Sequence, residues 1–198
     1  MANPSVGLMY PVFAPFVSHT EGSLPSYGTG VVIQEARNVN ITKTYNNNPL
    51  YGDDHEVDDD NHLSALGMSF EPTGLTDSDR KVLFGEKDIA FGGITAQAEG
   101  DNETPYGGFG YIRKMRENGV RKYEAWIVLK IKFQEESQNT ATEEGSITWG
   151  TPTLTGRAAR LVIDSTDEAK FRVHSTFTTA SAAKSWINTV LNVSAVTT

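Results

Sequence analysis

The stretch YEAWIVLKIKF, residues 123–133, decides the fold. Its apolar side chains recur at every second position, and they are Tyr123, Ala125, Ile127, Leu129, Ile131 and Phe133. This period of two places them on one face of a β-strand, because successive side chains of a strand point to opposite faces. The alternate positions are mixed in character. The pattern therefore predicts a long strand with one fully apolar face.

A second strand precedes this stretch and forms a hairpin with it. Residues 106–115 are rich in aromatic and apolar side chains, and Asn118-Gly119 lies between the two strands. An Asn-Gly pair tolerates the positive φ angles of a two-residue turn. The sequence therefore predicts a tight β-hairpin with its tip at Asn118-Gly119.

Similar patterns extend over the rest of the chain. Further strands are predicted at residues 6–17, 38–45, 63–70, 146–155, 158–164 and 170–177. Seven or so strands at this spacing, separated by Gly, Thr and acidic turns, are typical of a sandwich or barrel. No repeat or low-complexity linker divides the chain. We expect a single α+β domain, mainly β, over residues 1–198.

Two helices interrupt the strands. Residues 77–84 are predicted to form a short helix, with Thr76 as N-cap, Asp79 three residues later and Gly85 at its end. In residues 181–191 the apolar side chains fall at i, i+3, i+4, i+7 and i+8, which predicts a helix with one buried face. We expect this second helix to pack on a sheet.

Four segments read as long loops or hairpin tips because Gly, Asn, Ser, Thr and acidic residues dominate them. They are residues 20–30, 46–62, 92–105 and 137–145. A compact monomer rarely keeps this much irregular chain. We therefore expect some of these segments to become ordered by contact with other subunits.

Composition limits the possible functions. The chain has no cysteine, which excludes thiol catalysis and cysteine-ligated zinc. The first 18 residues lack the basic start of a signal peptide, and no apolar run is long enough to span a membrane, so we expect neither export nor membrane contact. The net charge of −8 arises entirely from residues 1–100, which hold 14 acidic and 5 basic residues. Such a surface disfavours tight binding of nucleic acid.

An acidic segment, residues 52–62, is the main candidate for a special role. Its six carboxylates belong to Asp53, Asp54, Glu56, Asp58, Asp59 and Asp60. Oxygen clusters suit hard cations, but the segment has neither the spacing of an EF-hand nor that of a zinc motif. Charge that keeps a strand edge or loop tip soluble is the simpler interpretation.

An intersubunit role is the third interpretation of the acidic segment. Basic residues crowd the tip of the Asn-Gly hairpin, and they are Arg113, Lys114, Arg116, Arg121 and Lys122. An acidic tip and a basic tip on one chain can pair between neighbouring copies, and such heterologous contacts close into rings or extend into filaments. A solvated turn without a partner is the alternative for the basic hairpin.

Catalytic motifs are absent from the sequence. The four histidines lie in unrelated contexts, and no nucleophile elbow, phosphate loop or zinc-protease motif occurs. The glycine run at residues 105–110 enters a strand rather than a helix, so it offers no helix N-terminus to an anion. We expect turn or close-packing roles for these glycines, and neither a catalytic residue, a cofactor nor a metal site.

The order of these features resembles the major tail protein family of siphophages that infect Gram-positive bacteria. The resemblance rests on short motifs: PLYGDD at 49–54, LFG at 83–85, PYGGFGY at 105–111, NG at 118–119, YEAW at 123–126, KIKF at 130–133, ITWGTPTLTG at 147–156 and SWIN at 185–188. The Thr-rich acidic loop at 138–144 also fits. Some members carry a C-terminal immunoglobulin-like domain, which we do not expect in this chain.

The resemblance implies two packed antiparallel sheets flanked by one main helix, with an N-terminal arm and long intersubunit loops. Six copies would join into a ring, and rings would stack into the tail tube of a virion made in the host cytoplasm, through which DNA passes transiently and without sequence preference. Other implied partners are the tape measure, terminator and distal tail proteins. The strands at 38–44 and 63–70 would help to line the lumen.

Residue-level expectations follow from this resemblance and from charge. Because basic walls would trap a polyanion, polar walls suit a DNA conduit. We expect Asn38, Asn40, Thr42 and Thr44 to face the lumen. The six acids of residues 53–60 are expected at the lumen or at a contact between subunits.

Three other functions stay open at this point. A calcium- or glycan-binding β-sandwich module would use the loop at 53–60, beside which only Tyr51 supplies an aromatic ring. A different tail or capsid component, such as a terminator or a needle protein without a sheath, would share the same sheets. A glycosidase would need two acids flanking a cleft, a pair that the sequence does not indicate.

Overall fold

The computed structural model describes residues 5–33, 35–52, 55–100, 103–137, 150–166 and 168–194. The strands are β1 Ser5–Ser18, β2 Ser26–Tyr27, β3 Val31–Val32, β4 Ala36–Gly52, β5 His55–Pro72, β6 Lys87–Phe91, β7 Ile94–Ala98, β8 Gly107–Glu117, β9 Val120–Ser137, β10 Thr153–Ala158, β11 Leu161–Val162, β12 Ala169–Lys170 and β13 Arg172–Phe177. The helices are α1 Asp77–Phe84 and α2 Ala180–Val190. The mainly β, α+β class predicted from the sequence is confirmed.

Nine strands form one antiparallel sheet that folds into two layers. Its main order is β2-β1-β8-β9-β10-β5-β4, while β3 pairs with β1 and β13 with β9. The two layers share β9. Residues 120–131 of β9 pair with β8, and residues 131–137 pair with β10 on the opposite edge. The smaller sheets β6–β7 and β11–β12 lie outside this path.

Phenylalanine rings fill the space between the layers. Phe109 lies 5.0 Å from Phe70 and 5.3 Å from Phe133, measured between ring centroids, and all three are fully buried. Phe13 and Leu154 belong to the same cluster and come from β1 and β10. Since burying a side chain of this size contributes roughly 1.5–3 kcal/mol, this cluster is a main source of the fold's stability.

Helix α2 covers the outer face of the β1–β8–β9 layer. Ala183, Ile187 and Leu191 are fully buried against Ile112 and Ile127. The glycines of the run at 105–110 permit the close approach. A Cβ at Gly110 would lie 2.9 Å from side-chain atoms of Ile187 and of Leu191. The predicted close-packing role of these glycines is confirmed here.

The ends of α1 also follow the sequence. The backbone N–H of Asp79 donates to Thr76 Oγ1 (3.2 Å), and the N–H of Thr76 donates to the Asp79 carboxylate (2.9 Å). Gly85 adopts a left-handed conformation with φ 72° and ends the helix. The Asn118-Gly119 turn has the two positive φ angles expected of it, 50° and 82°.

Several sequence predictions are wrong in extent. Most of residues 46–62, predicted as a loop or hairpin tip, belong to β4 and β5. The loop predicted at 92–105 contains β7. The strand predicted at 146–155 begins only at Thr153, with 146–149 outside the described residues, and within 158–164 only Leu161–Val162 form a new strand.

Candidate assembly surface

One face of the β9–β10–β5–β4 layer is polar throughout. Directly opposed residues share a face, and one row across the four strands reads Lys132, Arg157, Gly67, Thr42. The next row reads Gln134, Thr155, Ser69, Asn40. We call this surface the polar face. Its opposite side carries Phe133, Leu154 and Phe70 into the core.

The residues predicted to face a lumen lie together on the polar face. Asn38, Asn40, Thr42 and Thr44 are all exposed, whereas Val39 and Ile41 between them pack against the core. The structure thus places the four side chains on one surface of β4. Whether that surface lines a lumen stays a prediction.

Both lateral edges of this four-stranded layer lack a strand partner among the described residues. β4 pairs only with β5. On the other side, β8 reaches β9 as far as Ile131, so residues 132–137 have no neighbouring strand on that edge. Unpaired edges expose backbone N–H and C=O groups, which makes them templates for pairing with another chain.

β4 and β5 continue past the layer as a two-stranded arm. The last pairing with β10 is at Leu66, so we define the arm as residues 44–52 and 55–65. Residues 44–49, Asn61 and His62 are exposed, and the Tyr45 ring is 51% exposed. Isolated two-stranded ribbons are marginally stable in water. The arm therefore gains little from the body of its own subunit.

The acidic segment lies on this arm. Glu56, Asp58, Asp59 and Asp60 belong to β5 and pair with residues 48–51 of β4. Asp53 and Asp54 lie outside the described residues. The described part of the segment is thus strand. Among the residues whose side chains the structure describes, which do not include 50–60, no group of three or more Asp, Glu or His residues is placed to hold a metal.

Two of the five basic hairpin residues have partners within their own subunit. Arg113 Nε donates to Glu124 (2.9 Å), and Lys122 forms an ion pair with Glu117. Arg116 and Arg121 are exposed and directly opposed at the tip, with no ion pair to any described residue. Lys114 is opposed to Tyr123. The predicted basic tip is therefore reduced mainly to the Arg116–Arg121 pair.

Glu124 organises a cluster that the sequence did not reveal. This carboxylate is buried, and besides Arg113 it accepts a hydrogen bond from Trp126 Nε1 (2.8 Å). His174 stacks on the Trp126 ring at 4.1 Å, and the Arg172 guanidinium lies 4.0 Å from the centroid of the same ring. The only signal in the sequence was that the alternate positions of the stretch 123–133 include charged as well as apolar residues.

A second ion cluster surrounds Arg80 of α1. Its guanidinium lies 2.9 Å from Glu135, 3.5 Å from Glu99 and 3.7 Å from Glu86. Burial raises the pKa of the Glu86 carboxyl above its ordinary value, and the attraction of Arg80 opposes that rise. One cation thus faces three carboxylates where α1 approaches the free edge of β9.

A cationic groove of about 710 Å³ opens on the polar face, at the end where the arm begins. It is lined by Lys132, Arg157 and Arg160 together with Tyr106, Phe171 and Ser64. The Arg160 guanidinium lies 5.6 Å from the Phe171 ring centroid. Among the described residues none of the three cations has an ion-pair partner. The lining contains no Asp or Glu.

Two histidines outside the arm have described contacts. His19 Nε2 lies 2.9 Å from the carbonyl oxygen of Val162, and His174 belongs to the Glu124 cluster. No helix of the described chain is long and apolar enough to cross a bilayer.

No protein-family model and no curated protein matches this chain.

Proposed function

We propose that this protein is a structural subunit that polymerises through its sheets into rings and a tube, as the tail tube of a long-tailed phage does. The observation that carries the proposal is the β9–β10–β5–β4 layer with its two unpaired edges. Joining β4 of one copy to β9 of the next continues the sheet from copy to copy. Each addition leaves a new free edge until the ring closes.

The polar face supports a conduit for DNA. In a ring built this way, one surface of every layer faces inward, and the polar face offers Asn, Thr, Ser and Gln side chains to that interior. Neutral polar side chains leave a polyanion mobile. Lys132 and Arg157 are the cationic exceptions on this surface, and they lie at the end nearest the arm.

The arm supports contact between copies. A ribbon with both faces exposed over residues 44–49 has too little core of its own to hold its shape. Packing against a neighbour supplies the missing burial. This explains why a small protein would keep such a long exposed hairpin.

Negative-stain electron microscopy of the concentrated protein, without other components, tests the proposal. We expect rings or tubes with a central hole. The matched variant removes residues 46–62 and joins Tyr45 to Leu63, which are cross-strand partners, through Asn-Gly. It should unfold cooperatively with a Tm close to that of the wild type and form neither rings nor tubes. Small monodisperse wild-type particles at every concentration would contradict the proposal.

A calcium-binding module is the second candidate function, because the acidic residues of the arm are close in sequence. Its test is thermal unfolding with calcium or with a chelator. A large calcium-dependent rise in Tm would favour the module, whereas the tube proposal expects equal Tm values in the two conditions.

A further inference from the structure

The cationic groove contains a feature that costs stability. Lys132 and Arg157 are directly opposed on neighbouring strands, and like charges in that position repel. Lys130, one pleat further along β9, adds a fourth positive charge near the groove, with its Nζ 4.8 Å from the Tyr106 ring centroid. An anionic partner would turn this repulsion into attraction.

The arm carries the only dense run of acids in the sequence, but these acids, at residues 56–60, cannot reach the groove of their own subunit. The arm leaves the layer at Leu66. The cross-strand partner of Leu66 is Ala158, which lines the groove. With a rise of about 3.3 Å per residue, Asp60 lies about 20 Å and Glu56 about 33 Å beyond Leu66. Pairing with β4 along this whole length keeps the arm extended. A contact between the two charged surfaces must therefore join two molecules.

We infer that the cationic groove of one copy binds the acidic part of the arm, residues 56–60, of a second copy. This inference rests on the proposed assembly and identifies the partner of the groove. Such a contact joins different surfaces of the two molecules, so it is heterologous and repeats from copy to copy. Complementary charge also speeds the encounter and selects its register.

A pair of charge-reversed variants tests the contact. The groove variant is Lys132→Glu with Arg157→Glu, and the arm variant is Asp58→Lys with Asp60→Lys. Each should need a protein concentration higher by about tenfold or more to assemble alone, because groove and arm then carry like charges. Mixed in equal amounts, each groove meets an arm of opposite charge, so assembly should return.

A third variant controls for the change in net charge. Lys87→Glu with Lys184→Glu makes the same charge change as the groove variant, at two lysines that lie outside the groove, the arm and the basic hairpin. It should assemble like the wild type. Circular dichroism spectra and Tm values, measured for each variant alone, separate loss of the contact from loss of the fold.

Three results would overturn the inference while leaving the proposed function standing. In the first, both charge-reversed variants assemble like the wild type. In the second, the mixture stays dispersed although each variant is folded. In the third, a labelled single-stranded DNA 12-mer binds the wild type but not the groove variant, whose assembly is unchanged, so that the groove is a nucleic-acid contact. A wild-type chain that never assembles would instead contradict the proposed function itself.

Discussion

At the scale of single residues, glycines decide how closely α2 packs on the sheet. Gly110 faces Ile187 and Leu191 at a distance that leaves no room for a methyl group. Sequence reasoning identified the glycine run as a packing feature because it enters a strand rich in aromatics. It could not identify the partner, since contacts between residues 110 and 187 depend on the complete fold.

Replacing Gly110 with Ala should lower the free energy of unfolding by about 1–3 kcal/mol, because the added methyl overpacks the interface with α2. Urea unfolding followed by circular dichroism measures the change. Gly74→Ala is the matched control, since a Cβ there meets nothing within 4 Å. Its stability should stay within about 0.5 kcal/mol of the wild type. Equal losses at both positions would contradict the packing argument.

Glu86 makes stability depend on pH. Burial raises the folded-state pKa of this carboxyl above its unfolded value, so the folded state holds the proton more tightly. Its ionisation therefore destabilises the fold as pH rises through the folded pKa. Glu86→Gln should be more stable than the wild type at pH 7, with the difference vanishing as pH falls below the unfolded pKa. Chemical unfolding of both proteins at a series of pH values measures this difference in unfolding free energy. A difference that stays the same at every pH would mean that another group is responsible.

At the scale of elements, the helices were the most predictable parts of the chain. Helix α1 runs over the residues predicted, because Thr76, Asp79 and Gly85 are local signals that need no tertiary context. Strands β1, β8 and β9, which are buried on both faces over part of their length, were also recognisable from their apolar and alternating residues. The exposed arm and the β6–β7 hairpin were missed because they lack that alternation.

The arm illustrates why composition misleads. Asn, Asp and Pro disfavour strands in general, so residues 46–62 read as a loop. Backbone pairing continues through them nonetheless, from Asn46 opposite His62 to Gly52 opposite His55. In the β6–β7 hairpin the Gly92-Gly93 turn is flanked by the exposed pair Phe91 and Ile94. Neither ribbon has the single buried face on which pattern recognition relies.

The N-cap of α1 gives a prediction at this scale. Thr76→Ala removes the acceptor for the Asp79 N–H and should cost about 1 kcal/mol of unfolding free energy. Thr76→Ser keeps the hydroxyl and should cost less than half as much. Urea midpoints of the two variants make the comparison. Equal midpoints would mean that the hydroxyl contributes nothing.

At the scale of the whole molecule, assembly should change the arm more than any other described part. In the dispersed protein, amide hydrogens of residues 44–49 should exchange within seconds, because the ribbon opens without disturbing a core. In the assembled form the same amides should be protected by about tenfold or more. Hydrogen exchange with mass spectrometry compares the two states. Core amides of β8 and β9 serve as the internal reference, and an arm that exchanges equally in both states would count against a contact there.

Only part of the candidate site could be predicted from the sequence. The polar positions of β4 could be predicted from alternation alone, since each polar residue from 38 to 44 follows an apolar or basic one. The cationic groove could not, because Lys132, Arg157 and Arg160 come from separate parts of the chain that strand pairing brings together. The same holds for Glu124, whose partners at 113 and 174 are distant in sequence.

Strand β9 serves two cores at once, and this limits how the protein can evolve. Ala125 and Ile127 pack beneath α2, while Ile131 and Phe133, on positions of the same parity, pack between the layers. Inserting one residue between them would reverse every side chain on one half of the strand and leave that core without its apolar face. Length variation among descendants of this chain is therefore expected at the arm tip and at Asn118-Gly119, while β9 stays constant in length.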